Sequence, residues 1–387
     1  MQKWLLPEHF EDILPAEARR VERLRRQILD LFEVCGYELV GPPLVEYLDS
    51  LLTGTGHDLE LRTFRLVDQL SGRMLGLRAD ITPQVARIDA HLLNRHGVAR
   101  LCYAGSVLHA LPSGLLRTRE PIQIGAELFG HAGVESDVEI QMLMLRALST
   151  TGVRGLHLDL GHVSVFRSLV RRGGVATGLE AELFQSLQSK DRSALRELTR
   201  GLDTATGNAI LLLPELYGGK EVLASARKKL PAYPELAACL ELLEGIGQQL
   251  APEVDELCFD LAELRGYHYH SGVVFAVYAA GSTDAIARGG RYDEVGQAFG
   301  RARPATGFSI DLRDLAELVG DNGAPRRVLA PYAPGDSALQ AEIRRLRETG
   351  VVVIVDLPGH ESSRSELGCE TSLLQRDGGW VESPLAR

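Results

Sequence analysis

Four segments of the 387-residue chain set charged residues and glycines inside otherwise apolar, strand-like sequence. They are Arg78-Ala79-Asp80-Ile81-Thr82; Arg117-Thr118-Arg119-Glu120, leading into Gln123 and Glu127; Arg265-Gly266-Tyr267-His268-Tyr269-His270-Ser271-Gly272; and Gly289-Gly290-Arg291-Tyr292-Asp293. On a strand, Gln123, Gly125 and Glu127 share one face, so two polar groups flank a residue without a side chain. Such a face suits a small polar ligand lying against a sheet. Each feature also has a structural use. Thr82 serves as a helix N-cap, Gln123 and Glu127 can face solvent, and the glycines can mark bulges. His268 and His270 form an HxH pair, but no third ligand stands at matching spacing, so no metal centre is expected.

The elements that must hold these segments are legible from periodicity. Pro15 opens an amphipathic helix with Val21, Leu24, Ile28, Leu31, Phe32 and Cys35 on one stripe, stopped at Gly36. Residues 62–78 alternate around Ser71-Gly72 and predict a hairpin. Thr82-Pro83 predicts a helix start, and Gly97 its close. Two strands, 101–108 and 122–129, flank a loop rich in Arg, Pro and Gly. Ser136-x-x-Glu139 reads as a capping box, and 156–160 as another strand. Residues 163–250 are rich in Leu, Ala, Glu and Arg and read as a helical insertion. Strand-like sequence resumes at 257, and 312–319 predicts a closing helix. Asp321 to Pro325 reads as a linker, followed by a β–α–β unit and a thin tail.

Composition bounds the function. The length suits two or three domains, and 45% hydrophobic with 24% charged residues is an ordinary globular balance. The net charge of −10 argues against a broad nucleic-acid surface. Five scattered cysteines without a CxxC argue against disulfides or structural zinc. Neither a secretory leader nor a membrane-length apolar run stands out, so a cytoplasmic protein is expected.

The order of the four segments resembles the catalytic core of a class II aminoacyl-tRNA synthetase, specifically histidyl-tRNA synthetase. The resemblance covers about residues 7–320. Arg78 to Thr82 is similar to the RPEGT element, with Asp80 for Glu. Residues 100–130 align with motif 2, Arg265 to Gly272 with the histidine-binding RGLDYYTG signature, and Gly289 to Asp293 with Thr306 to Ile310 with the motif 3 region. The resemblance implies an α+β fold: an antiparallel sheet flanked by helices, spanning 1–325, with the helical insertion at about 163–250. Residues 326–387 are then a truncated C-terminal β–α–β segment, too short for a complete anticodon-binding domain. It also implies histidine-binding candidates: Asp80 and Thr82 for the α-amino group, with Gln123, Glu127, Arg265 and Tyr269 for the rest of the amino acid. The chemistry is coherent, because carboxylates suit an ammonium, an arginine suits a carboxylate, and Glu127 can accept from an imidazole N–H. The second tyrosine of the signature is His270.

The departures lie on the nucleotide side. His109 stands where the synthetase has the arginine that grips the α-phosphate of ATP. Leu111 replaces the glutamate that holds adenine, and Asp314 replaces the second ATP-binding arginine. Losing one preorganised donor costs about 3–4 kcal/mol, or 10²–10³ in rate. Together the losses imply a fall of about 10⁴ or more in amino-acid activation. A synthetase-like core without an ATP grip resembles the regulatory subunit family of ATP phosphoribosyltransferase. That resemblance implies no catalytic residue and no cofactor on this chain. It also implies a short-form catalytic partner, a hetero-octamer with self-association through the core near Pro43 to Leu52, and histidine as effector. Arg117, Arg119 and Arg291 remain around the former nucleotide site, either to hold an anion or to pair with Glu120 and Asp293. Two other readings stay open. One is a divergent histidyl-tRNA synthetase or amino-acid-activating paralogue; the other is a stand-alone histidine-binding protein.

Overall fold

Alternation along the strands decides which face of the central sheet is apolar. The computed structural model describes residues 4–54, 57–112, 114, 117–267, 269–320 and 325–385. It divides into two units, Met1–Gly320 and Asp321–Arg387. The first contains strands β1 (Glu38–Leu39), β2 (Val45–Tyr47), β3 (Phe64–Val67), β4 (Met74–Leu77), β5 (Ala99–Ser106) and β6 (Ile122–Phe129). It continues with β7 (His157–His162), β8 (Tyr217–Gly218), β9 (Glu256–Asp260), β10 (Val273–Tyr278), β11 (Ala287–Arg291) and β12 (Ala305–Asp311). Nine of these form one sheet in the order β1-β5-β6-β12-β11-β10-β7-β9-β8, antiparallel except for the β1–β5 and β7–β9 pairs. This is the α+β architecture expected from the sequence.

In β6, Ile124, Ala126 and Leu128 join the main core, which leaves Gln123, Gly125 and Glu127 on the opposite face. The helix Pro15–Val34 buries Val21, Leu24, Ile28 and Phe32 on that core side. Each fully buried side chain of this kind contributes about 1.5–3 kcal/mol. Gly36 stops the helix with a φ of +85°, a conformation that favours glycine. The expected hairpin forms as β3 and β4, joined through Gly72 at φ +71°.

Two helix starts differ from the sequence expectation. The helix Thr82–Arg87 begins without a Thr82 cap; instead Asp80 Oδ1 accepts from the Thr82 N–H at 3.1 Å. The Thr82 hydroxyl turns to the Tyr103 hydroxyl, 3.1 Å away. A π-helical turn, Ile88–Leu93, follows, and left-handed Asn94 closes it before Gly97. The helix Val134–Thr150 starts before Ser136, so Ser136 is inside it rather than its cap. Its hydroxyl donates to Gly133 O and accepts from Arg291, while Glu139 pairs with Arg100. Both would-be caps are drawn away by long-range partners that local spacing does not reveal.

The insertion is helical, from Val163–Arg172 to Pro234–Leu250, with the short strand β8 within it. The linker residues 321–324 lie outside the described residues. In the second unit, β13 (Arg327–Pro331), the helix Ser337–Glu348 and β14 (Val352–Asp356) make the β–α–β unit. The tail is more than an appendage: β15 (Thr371–Arg376) and β16 (Gly379–Pro384) form a hairpin, giving a sheet in the order β14-β13-β15-β16. Leu373 from this hairpin joins Val328, Ala330, Leu339 and Ile343 in the unit's own core.

Candidate functional site

Glu127 projects from β6 into a cavity of about 350 Å³ and is almost wholly buried. Its Oε1 accepts from the Tyr103 hydroxyl at 3.1 Å, and its Oε2 from the Tyr292 hydroxyl. Gly307 faces it across the β6–β12 pair. A Cβ there would overlap Oε2 and stand 2.5 Å from Cδ, so only glycine leaves room for the carboxylate. Burial pushes the Glu127 carboxyl up to about 8; the hydroxyl donors act against this but do not cancel it. Glu127 is therefore largely protonated near neutral pH.

Asp80 and Thr82 line the same cavity. Asp80 is set by Gln123, whose amide donates to Asp80 Oδ1 at 2.9 Å and accepts from the Ile81 N–H at 2.9 Å. Gln123 itself lines an adjoining cavity, also about 350 Å³, so it orients Asp80 from behind. Arg265 and Tyr269 reach the Glu127 cavity from the loop before β10. Arg265 is half exposed, 3.7 Å from Glu263 and beside Tyr278. The Tyr269 hydroxyl is buried without a hydrogen-bond partner among the described residues. Its ring packs beside His270 and Tyr292, with centroids 5.3 and 5.1 Å away. His270 Nδ1 is likewise buried and unpartnered, and burial pulls the imidazole down to about 4, so it is neutral. His268 lies outside the described residues.

Of the six histidine-binding candidates, five converge on one cavity and Gln123 supports from the next. Tyr103 and Tyr292, which hold the carboxylate, were not singled out; tyrosines within strands read as core, although Tyr292 stands in the Gly-Gly-Arg-Tyr-Asp segment.

The adjoining cavity is built differently. The His109 ring is held between the Ala79 carbonyl, 3.1 Å from Nε2, and the Arg62 guanidinium, 2.8 Å from Nε2 and 3.0 Å from Nδ1. Burial, reinforced by the Arg62 charge, pulls His109 down to about 4, so the position that would need a cation is neutral. Arg117 is held between Asp284, at 3.0 Å, and Asp314. Arg119 is spent on the carbonyls of His109 and Ala110 and sits against Phe10 and Phe64. Arg291 is buried on Asp137, Asp293 and Ser136, away from this cavity. Of the three arginines considered for an anion, only Arg117 lines the cavity, already paired with two carboxylates.

A largely antiparallel sheet, with an enclosed cavity around Glu127 and a second cavity in which Arg117 is paired with carboxylates, belongs to a histidyl-tRNA synthetase-type core. The Histidyl-tRNA synthetase family model matches residues 9–315. A histidyl-tRNA synthetase from Nostoc sp. PCC 7120 shares the fold, with a TM-score of 0.78 at 18% identity, over 99% of this chain and 97% of that one. A Bacillus halodurans structure described as an ATP phosphoribosyltransferase regulatory subunit/histidyl-tRNA synthetase superposes with a TM-score of 0.84 at 26% identity. It covers 95% of this chain and 97% of its own.

The relatives narrow the family. The ATP phosphoribosyltransferase regulatory subunit of Nitrosospira multiformis is 59% identical over 98% of both chains. That of Ralstonia nicotianae is 56% identical over 99% of both. A second family model, the ATP phosphoribosyltransferase subunit HisZ C-terminal domain, matches residues 325–382. The chain belongs to the ATP phosphoribosyltransferase regulatory subunit family, and its role is regulatory, in histidine biosynthesis, with catalysis on the partner.

Proposed function

We propose that this chain binds histidine in the Glu127 cavity and passes its occupancy to a short-form catalytic subunit of ATP phosphoribosyltransferase, which requires this chain for activity. One observation carries the reading. The amino-acid half of the site is enclosed and pre-set, with Glu127 fixed by two tyrosines and the Tyr269 hydroxyl unpartnered among the described residues, whereas in the nucleotide half His109 is neutral and Arg117 is paired with Asp284 and Asp314. Asp80 and Thr82 supply acceptors for an α-ammonium, Arg265 a half-exposed cation for the carboxylate, and Glu127 an acceptor for the imidazole.

The assembly is a cytoplasmic hetero-octamer. Self-association through the region of β2, β3 and β4 is supported by exposed Val45, Tyr47, Leu66, Val67 and Met74, an apolar surface on a small sheet. The test is phosphoribosyl transfer by the catalytic subunit with and without this chain, then with histidine. Activity is expected only with both chains, and histidine lowers it with a coupling of about 1–3 kcal/mol. Full activity of the catalytic subunit alone, or histidine inhibition unchanged in Glu127→Ala, would overturn the proposal.

A further inference from the structure

Farther along the same face of the main sheet, toward its β8 edge, β7 and β9 run parallel with His157 beside Glu256 and Asp159 beside Cys258. His157 and Asp159 alternate with core leucines, a pattern the regulatory pocket does not use. His157 Nε2 lies 2.8 Å from the Asp159 carboxylate; with the proton on Nε2 and donated there, Nδ1 bears the lone pair. That Nδ1 faces Glu256 Oε2 at 3.4 Å, and Glu256 Oε1 is 3.7 Å from Cys258 Sγ. One nitrogen, one carboxylate oxygen and one sulfur thus lie within 4.8 Å of one another.

We propose that His157, Glu256 and Cys258 form a binding site for a borderline-soft divalent transition metal of the zinc type, with Asp159 orienting the imidazole. Zinc bond lengths of 2.0–2.3 Å to N, O and S give donor separations of about 3.3–3.7 Å around a tetrahedron. His157 Nδ1 lies 3.4 Å from one Glu256 oxygen and Cys258 Sγ 3.7 Å from the other, so a turn of the exposed Glu256 carboxylate brings a single oxygen into reach of both. The donor set selects against calcium and magnesium, which take oxygen alone. A histidine whose second nitrogen donates to a carboxylate is the usual support of a metal ligand. The site also has an entry path. His157, Asp159 and Glu256 line a cavity of about 770 Å³ that also carries Asp260 and Glu263, and Glu256 is exposed at its wall. On binding, the Cys258 thiol loses its proton to solvent and the thiolate takes a coordination position. Without a metal, an imidazolium bridging two carboxylates accounts for His157 and Glu256, and the buried Cys258 thiol lies between Glu256 and Tyr217; the cobalt titration separates the two readings.

The test is titration of the full-length, chelator-stripped chain with cobalt(II), a spectroscopic stand-in for zinc. The expected result is one cobalt per chain, tetrahedral visible bands, a near-ultraviolet thiolate-to-cobalt charge-transfer band, and displacement by zinc. Cys258→Ser removes that band. Asp159→Asn keeps it but weakens binding about 10–100-fold, and exposed Glu256→Gln weakens binding without changing the melting temperature of the metal-free chain. Absence of the charge-transfer band in the wild type, or its persistence in Cys258→Ser, overturns the proposal.

Discussion

Gly307→Ala tests the geometry of the Glu127 pocket through a single methyl group. The new Cβ overlaps Glu127 Oε2 and stands 2.9 Å from the Ala126 carbonyl oxygen, so backbone blocks one escape and the enclosed carboxylate the other. Overpacking of this kind costs about 1–3 kcal/mol. Displacing the carboxylate also breaks the Tyr292 hydrogen bond, worth about 0.5–1.5 kcal/mol. The expected loss is therefore about 2–4 kcal/mol, read as a fall of roughly 3–6 °C in the melting temperature of a unit of this size. Histidine affinity falls at least tenfold by the same displacement, at about 1.4 kcal/mol per tenfold. Glu127→Ala destabilises too, because it strips two buried tyrosine hydroxyls of their acceptor, but it opens space for the methyl group. The Glu127→Ala/Gly307→Ala double variant should then be more stable than the sum of the single losses by at least about 1 kcal/mol. Denaturation of the four proteins measures this coupling. Additivity within about 0.5 kcal/mol would refute the steric argument.

Three further outcomes follow from the same contacts. Raised from its ordinary 4.5 to about 8, Glu127 contributes stability that is fully present below its unfolded value and lost as pH rises through 8. A histidine that needs the carboxylate charged binds about fivefold more tightly at pH 8 than at pH 7, and the gain disappears in Glu127→Gln; equal affinity at both pH values would exclude a titrating Glu127. Tyr269→Phe should lower histidine affinity while leaving thermal stability equal or higher, since it removes a buried hydroxyl that has no partner among the described residues; an unchanged affinity would take Tyr269 out of the site. Arg291→Ala strands Asp137, 2% exposed, and should cost about 3–5 kcal/mol in chemical denaturation; a loss below about 1 kcal/mol would argue that Arg291 is held for an anion rather than for the fold.

The strands and the insertion were legible because alternation and helical stripes follow from burial on one face. Ile124, Ala126 and Leu128 mark β6 as clearly in sequence as in the core. Local capping motifs were less secure. Thr82 and Ser136 are good caps by type, but Tyr103 and Arg291, remote in sequence, compete for their hydroxyls. The hairpin of β15 and β16 escaped notice because, of the β15 side chains, only Leu373 is buried, too few to show a period. Within the site, the shared face of Gln123 and Glu127 was readable, but not that two cavities divide it. Four residues along a strand span about 13 Å, more than one amino acid fills. The neutralisation of Arg117 by Asp284 was hidden for a similar reason, since the pair joins distant segments.

Calorimetry of histidine binding to the full-length wild-type chain and to Glu127→Ala tests the central claim most directly. The expected result is saturable binding of one histidine per chain, weakened about 10–150-fold in the variant, the range for losing a hydrogen bond to a charged group. Absence of binding to the wild type, or equal affinity in the two proteins, would contradict the assignment of histidine to this pocket.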